Sequence, residues 1–137
     1  MSFLILAKDP FGVERKMVIT LIEEILKDSE SQELYFEYGQ ALLHLNRFQE
    51  SIVSFNKCAK SLFNTSNASE ALYYISVGYS KLGDQEKSLQ FLQYAIDRGF
   101  NDRNLIIKNK DLEQLHQSVL WKENENKILN SILLTIA

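Results

Sequence analysis

Apolar side chains recur along the chain with the spacing of helix faces, and polar breaks divide them into blocks. From Val13 to Asp28, Met17, Val18, Leu21, Ile22, Ile25 and Leu26 fall at i, i+1, i+4 and i+5. On a helix that spacing lays one apolar stripe, so an amphipathic helix is expected there. It closes at Ser29-Glu30-Ser31-Gln32, whose serine-to-glutamine spacing is that of a capping box opening the next helix. Asn46 with Gln49, Asn67 with Glu70, and Asp84 ahead of Glu86 each set a capping side chain before an apolar-periodic run. Near the end, Trp121, Ile128, Leu129, Ile132, Leu133 and Ile136 form a last stripe. The expectation is an all-α chain.

Two blocks superimpose at an offset of 37 residues, Gln32–Asn64 onto Ser69–Asn101. Tyr38 falls on Ile75, Gly39 on Ser76, Leu42 on Tyr79, Leu45 on Leu82 and Asn46 on Gly83. Ser51 then meets Ser88, Phe55 meets Leu92, Cys58 meets Ala95 and Phe63 meets Phe100. Helix axes approach to about 8–10 Å only where small side chains occupy the crossing point. Gly39, Ser76, Ser51 and Ser88 supply such residues beside large ones. Repeats of this kind build surfaces more often than active sites.

These shared positions resemble the tetratricopeptide repeat. In that family a small residue marks the crossing of two helices, a large one follows three positions on, and a short turn leads into a second helix with a small, large, small rhythm. Here the crossing is Gly39 or Ser76, the large partner Leu42 or Tyr79, and the rhythm Ser51, Phe55, Cys58 or Ser88, Leu92, Ala95. Phe63 and Phe100 stand where the family usually has proline, and Leu72 stands where it has a large aromatic residue. The Asn64–Asn67 stretch, read as a lengthened loop, accounts for a period longer than the usual ~34 residues. After Gly99 the chain resembles the cap that ends groups of such repeats in bacterial proteins. That cap takes a Gly-aromatic step (Gly99-Phe100), a short helix (Leu105-Ile106-Ile107), an Asp-Leu-x-x-Leu turn (Asp111 to Leu115) and a last helix begun near an aromatic residue, Trp121. The resemblance implies a short right-handed superhelix of antiparallel helix pairs in a single domain. Its parts are an N-terminal segment and helix over 1–28, repeats over 32–64 and 69–101, and a helical cap over 102–137.

Composition narrows the function. The chain has 137 residues, 45% of them hydrophobic, enough for one continuous core and too few for two independent domains. One proline and five glycines leave few helix breakers. Net charge is −3, and the densest basic groups, Glu14-Arg15-Lys16 and Lys108-Asn109-Lys110, carry two positive charges each, which argues against nucleic acid as a partner. The apolar run Ser2–Ala7 is far shorter than the roughly 20 residues that span a bilayer, and it lacks a basic lead, so neither a membrane span nor a signal peptide is expected. The single Cys58, at a small core position, is compatible with a reducing compartment. A cytoplasmic protein is the resulting expectation, and the resemblance of the terminal cap implies a bacterial one.

Catalytic chemistry finds little footing. His44 and His116 lie far apart without a second metal ligand at helical spacing, and each reads as an ordinary helix or turn residue. Nucleophile elbows, phosphate loops and dinucleotide fingerprints are missing from the sequence, and Glu23-Glu24 reads as a solvated helix face. No cofactor or metal is expected, and no enzymatic activity.

The resemblance places a binding groove on the first helix of each repeat. Transferred by position, it implies Glu33, Phe36, Glu37, Gln40, Leu43 and His44 from the first, and Glu70, Tyr73, Tyr74, Val77, Ser80 and Lys81 from the second. Family members that grip the acidic C-terminus of heat-shock chaperones use lysine, asparagine and arginine at several of these places. Phe36, Gln40, Tyr73 and Val77 stand there instead, so a carboxylate grip is not expected. The expectation is a scaffold whose aromatic groove, edged by Glu33, Glu37 and Glu70, takes an apolar or basic peptide or helix. Other readings are self-association into a homodimer through the apolar terminal segments, an accessory role beside an enzyme encoded elsewhere, and a groove filled by the chain's own helices.

Overall fold

The computed structural model describes Ile19, Thr20, Glu23, residues 32–60 and residues 65–136. Within them lie α1 (Gln32–His44), α2 (Phe48–Ala59), α3 (Thr65–Leu82), α4 (Gln85–Asp97), α5 (Arg103–Lys108), a 3-10 turn (Lys110–Leu112), α6 (Glu113–His116) and α7 (Val119–Ile136). No strand occurs among the described residues, and the protein is all-α. The Ser29–Ser31 part of the expected capping box lies outside the described residues, and so does the expected Val13–Asp28 helix, save three helical positions. Of these, Ile19 is buried against Ala41 and Leu42 of α1, and Glu23 Oε1 accepts from the Tyr38 hydroxyl at 2.8 Å.

The first four helices pack in succession, α1 on α2, α2 on α3 and α3 on α4, and the contacts fix their sense. Ser51 Oγ donates to the Gly39 carbonyl (2.8 Å) and Ser54 Oγ to the Tyr35 carbonyl (2.6 Å), so residue numbers rise along α2 as they fall along α1. The same holds between α2 and α3, where Ile52 meets Gly78 and Phe55 stacks on Tyr74. Both pairs run antiparallel. A methyl group added at Gly39 would lie 2.9 Å from three atoms of the Phe55 ring, which is why only glycine admits the ring at this crossing. At the equivalent crossing of α3 and α4, Ser76 Oγ donates to the Ser88 carbonyl (2.6 Å) and Ser88 Oγ to the Ser76 carbonyl (2.8 Å).

The 37-residue offset thus reappears in hydrogen bonds. Ser51 to Gly39 becomes Ser88 to Ser76 at the same 2.8 Å, and the turn bonds Asn46 N to Leu43 O and Arg47 N to Leu42 O become Gly83 N to Ser80 O and Asp84 N to Tyr79 O.

Two expected caps are corrected. Asn46 does not cap α2: it holds a left-handed φ of 59°, the conformation Gly83 takes at 85° in the other turn. Asparagine is among the few residues that tolerate it. Arg47 occupies the cap position without a side-chain cap bond, and its guanidinium Nε instead donates to Glu50 Oε1 at 2.9 Å. Asn67 lies inside α3, which begins at Thr65, so most of the expected Asn64–Asn67 loop is helix; Asn64 itself lies outside the described residues. Asp84 does cap α4, accepting from Lys87 N at 3.1 Å.

Beyond α4 the chain turns at Gly99 (φ 104°) and lays Phe100 into the core. Asp102 caps α5 through Leu105 N–H, and Asn109 Oδ1 accepts from Asp111 N–H, opening the 3-10 turn. Leu112 and Leu115 are fully buried, and with Trp121, Ile128, Leu129 and Ile132 they extend the core that Phe55, Ile75, Leu92 and Ile96 begin. Ser118 Oγ receives Trp121 N–H at the head of α7. Leu133 and Ile136 of the predicted stripe have side chains outside the described residues.

Candidate functional site

Six of the expected groove residues come from α1 and six from α3, and the two helices meet through Phe36 and Tyr74. Phe36 lies edge-on to both Phe55 (5.6 Å between ring centres) and Tyr74 (5.9 Å). Tyr74 continues to Tyr73 (5.3 Å, edge-on), and Tyr73 stacks on Phe100 at 4.5 Å and 8°. The Tyr74 hydroxyl shares a hydrogen bond with the Gln40 side chain. Leu43 is half-buried beside this aromatic row, and Glu33 and Glu70 are exposed at its edge with Glu37 between exposure and burial. His44 is exposed as well.

Three of the remaining positions are buried, which corrects the expectation for Tyr73, Val77 and Ser80. Tyr73 is 0% exposed, with its ring against Phe100 and its hydroxyl accepting from Asn109 Nδ2 at 2.6 Å. Val77 is 1% exposed and belongs to the core. Ser80 is buried, and its hydroxyl accepts from Leu115 N–H at 3.3 Å. Lys81 stays exposed but pairs with Asp111 at 3.2 Å. Residues 109–115 therefore lie along α3 over positions that would otherwise face outward. Phe36, Gln40, Leu43 and Tyr74, with Glu33, Glu37, His44, Glu70 and Lys81, are what the structure leaves at the surface.

Sequence reasoning missed the cleft beside them. Ser69, Glu70, Tyr73 and Tyr74 from the start of α3, the Gly99–Asp102 loop and Leu105 of α5 enclose about 360 Å³. The Gly99-Phe100-Asn101-Asp102 step was visible as a motif, but nothing in its spacing says that it folds back to the first turns of α3.

The electrostatics of this corner are negative. Burial raises the Tyr74 phenol above its ordinary range; the Gln40 hydrogen bond opposes this, and the charges of Glu70 and Asp102 add to it. Tyr73 is raised for the same leading reason, burial, with the Asn109 hydrogen bond opposing and Asp111 and Asp102 adding. Burial also pushes the Cys58 thiol up to about 11, with a further contribution from Glu70. Among the described residues, no set of three or more histidine, cysteine, aspartate or glutamate side chains converges to hold a metal ion, and no helix is long and apolar enough to cross a membrane. Such a face offers aromatic edges and carboxylates, suited to contacting apolar and cationic groups.

Comparison with protein-family models, curated proteins and solved structures finds no match to this chain.

Proposed function

We propose that this protein is a tetratricopeptide-like helical scaffold, without catalytic activity of its own, that binds a peptide or helix of a partner protein on the face shared by α1 and α3. The first helices of its two repeats line the concave side of a short superhelix, and the terminal module closes the stack. The observation that carries the reading is the half-buried row of Phe36, Gln40, Leu43 and Tyr74 edged by Glu33, Glu37 and Glu70. Rigid aromatic side chains flanked by charge are the composition of binding hot spots. The family resemblance, the lone buried thiol and the net negative charge support a cytoplasmic protein partner over nucleic acid.

Site-specific photo-crosslinking tests it. A benzophenone side chain placed at Glu37 or Glu70 is expected to capture a partner polypeptide in cells. The same group at Val53 and Val119, which are 56% and 69% exposed on other faces, serves as the control. Equal capture from all four positions, or capture from the controls alone, moves the binding surface off this face. Capture of a second copy of the same chain would replace the scaffold reading by self-association.

A further inference from the structure

Resting on the reading of this face as a peptide-binding surface, we infer that the cleft between the first turns of α3 and the Gly99–Asp102 loop receives a lysine or arginine side chain of the partner. Charge points this way first. Glu70 and Asp102 both line the cleft, and no lysine or arginine does. Among the described residues the Glu70 carboxylate makes no hydrogen bond or ion pair, and Asp102 spends one oxygen on Leu105 N–H and keeps the other. Both charges reach the Tyr74 ring.

Shape and lining select the class of cation. About 360 Å³ is at the small end for a ligand pocket, room for one side chain and not for a folded element. Tyr74 and Leu105, with the edge of Phe100, supply aromatic and aliphatic wall along which the methylene stem of a lysine or arginine lies while its head stays near the carboxylates. A hard metal ion has little use for such a wall, since it needs about six to eight oxygen ligands.

The test needs no knowledge of the partner. The full chain, labelled with 15N, is titrated with Nα-acetyl-arginine methylamide and, separately, with its neutral citrulline analogue. Saturable shifts centred on the amides of Ser69, Glu70, Asn101 and Asp102 are expected for arginine, with citrulline at least about ten-fold weaker. Glu70→Gln and Asp102→Asn should each weaken arginine binding about five-fold, the scale of one partly exposed ion pair. Asparagine still caps α5, so the loop survives the second change, and unchanged far-UV circular dichroism verifies it. Added salt should weaken binding to the wild type more than to the double variant. Equal binding of citrulline, shifts centred elsewhere, variants without effect, or no saturation by about 50 mM ligand would each overturn the assignment. Loss of arginine binding alongside retained crosslinking at Glu37 and Glu70 removes this subsite alone. Arginine binding without crosslinking removes the partner-face reading and with it the subsite's role.

Discussion

Ser76 and Ser88 face each other where α3 crosses α4, and replacing them singly and together measures how that crossing is held. Each hydroxyl donates to the other residue's carbonyl, at 2.6 and 2.8 Å, and the two oxygens are 3.1 Å apart. Both hydroxyl protons are thereby used, so the oxygen-to-oxygen contact is proximity and not a third bond. The carbonyls also accept their own helix N–H groups, so truncation to alanine orphans no buried acceptor. A net loss of about 1 kcal/mol per bond is expected, reduced by the roughly 0.5 kcal/mol that alanine gains in helix propensity. Ser76→Ala and Ser88→Ala should each cost roughly 0.5–1 kcal/mol, and the double variant their sum within about 0.5 kcal/mol. Ser51→Ala, which removes the single equivalent bond to Gly39, should match either single variant. Urea unfolding followed at 222 nm gives these values if the slope m stays constant. A double variant no less stable than the singles would refute the reasoning, because it would mean that one hydroxyl bonds the other and that breaking either end loses everything.

Other outcomes follow from single features. Gly39→Ala gains about 1 kcal/mol of helix propensity, but its methyl meets a Phe55 ring hemmed in by Phe36 and Tyr74. Overpacking of this kind costs about 1–3 kcal/mol, so urea midpoints should fall, and Phe55→Leu in the same chain should restore part of the loss. Trp121→Ala, which removes a ring 4% exposed at the cap, should cost about 3–5 kcal/mol in the same assay. Lys81→Ala, breaking an exposed pair with Asp111, should change stability by less than about 0.5 kcal/mol. The Cys58 thiol is raised from 9.0 to about 11 in the fold, so the native state holds its proton more tightly than the unfolded chain does. Its contribution is whole below about pH 9 and is lost as pH rises through 11. Stability measured by urea from pH 9 to 11 should therefore fall more steeply for the wild type than for Cys58→Ala.

What could be read beforehand was whatever lies within one helix pair. The small crossing residues Gly39, Ser51, Ser76 and Ser88, the Asp84 cap and the buried leucines of Asp111-Leu112-Glu113-Gln114-Leu115 all sit where short-range spacing put them. Asn46 was misread because asparagine serves both as a helix cap and as a left-handed turn residue. Its partner at the 37-residue offset is Gly83, and a glycine there already pointed to the turn. Tyr73, Val77 and Ser80 failed as surface positions for a different reason. Phe100, Asn109 and Leu115 pack on or bond Tyr73 and Ser80 from 27 to 36 residues away, and transfer by repeat position carries no information about what the terminal segment folds over. The cleft escaped likewise, since its two walls meet only through tertiary packing.

The chain contains one tryptophan, and its position gives the protein a built-in optical partition. Trp121 lies at the head of α7, sealed into the core with the His116 ring 4.8 Å away, while the tyrosines Tyr35, Tyr38, Tyr73, Tyr74, Tyr79 and Tyr94 are confined to α1, α3 and α4. Light at 295 nm excites the terminal module alone, whereas circular dichroism averages over every helix. Unfolding curves from the two signals coincide only if the last helices come away together with the first four. A fluorescence transition that precedes the dichroic one would mean that this end of the protein can peel off while the rest stays intact, baring the Ser80 hydroxyl that Leu115 N–H now bonds without global unfolding.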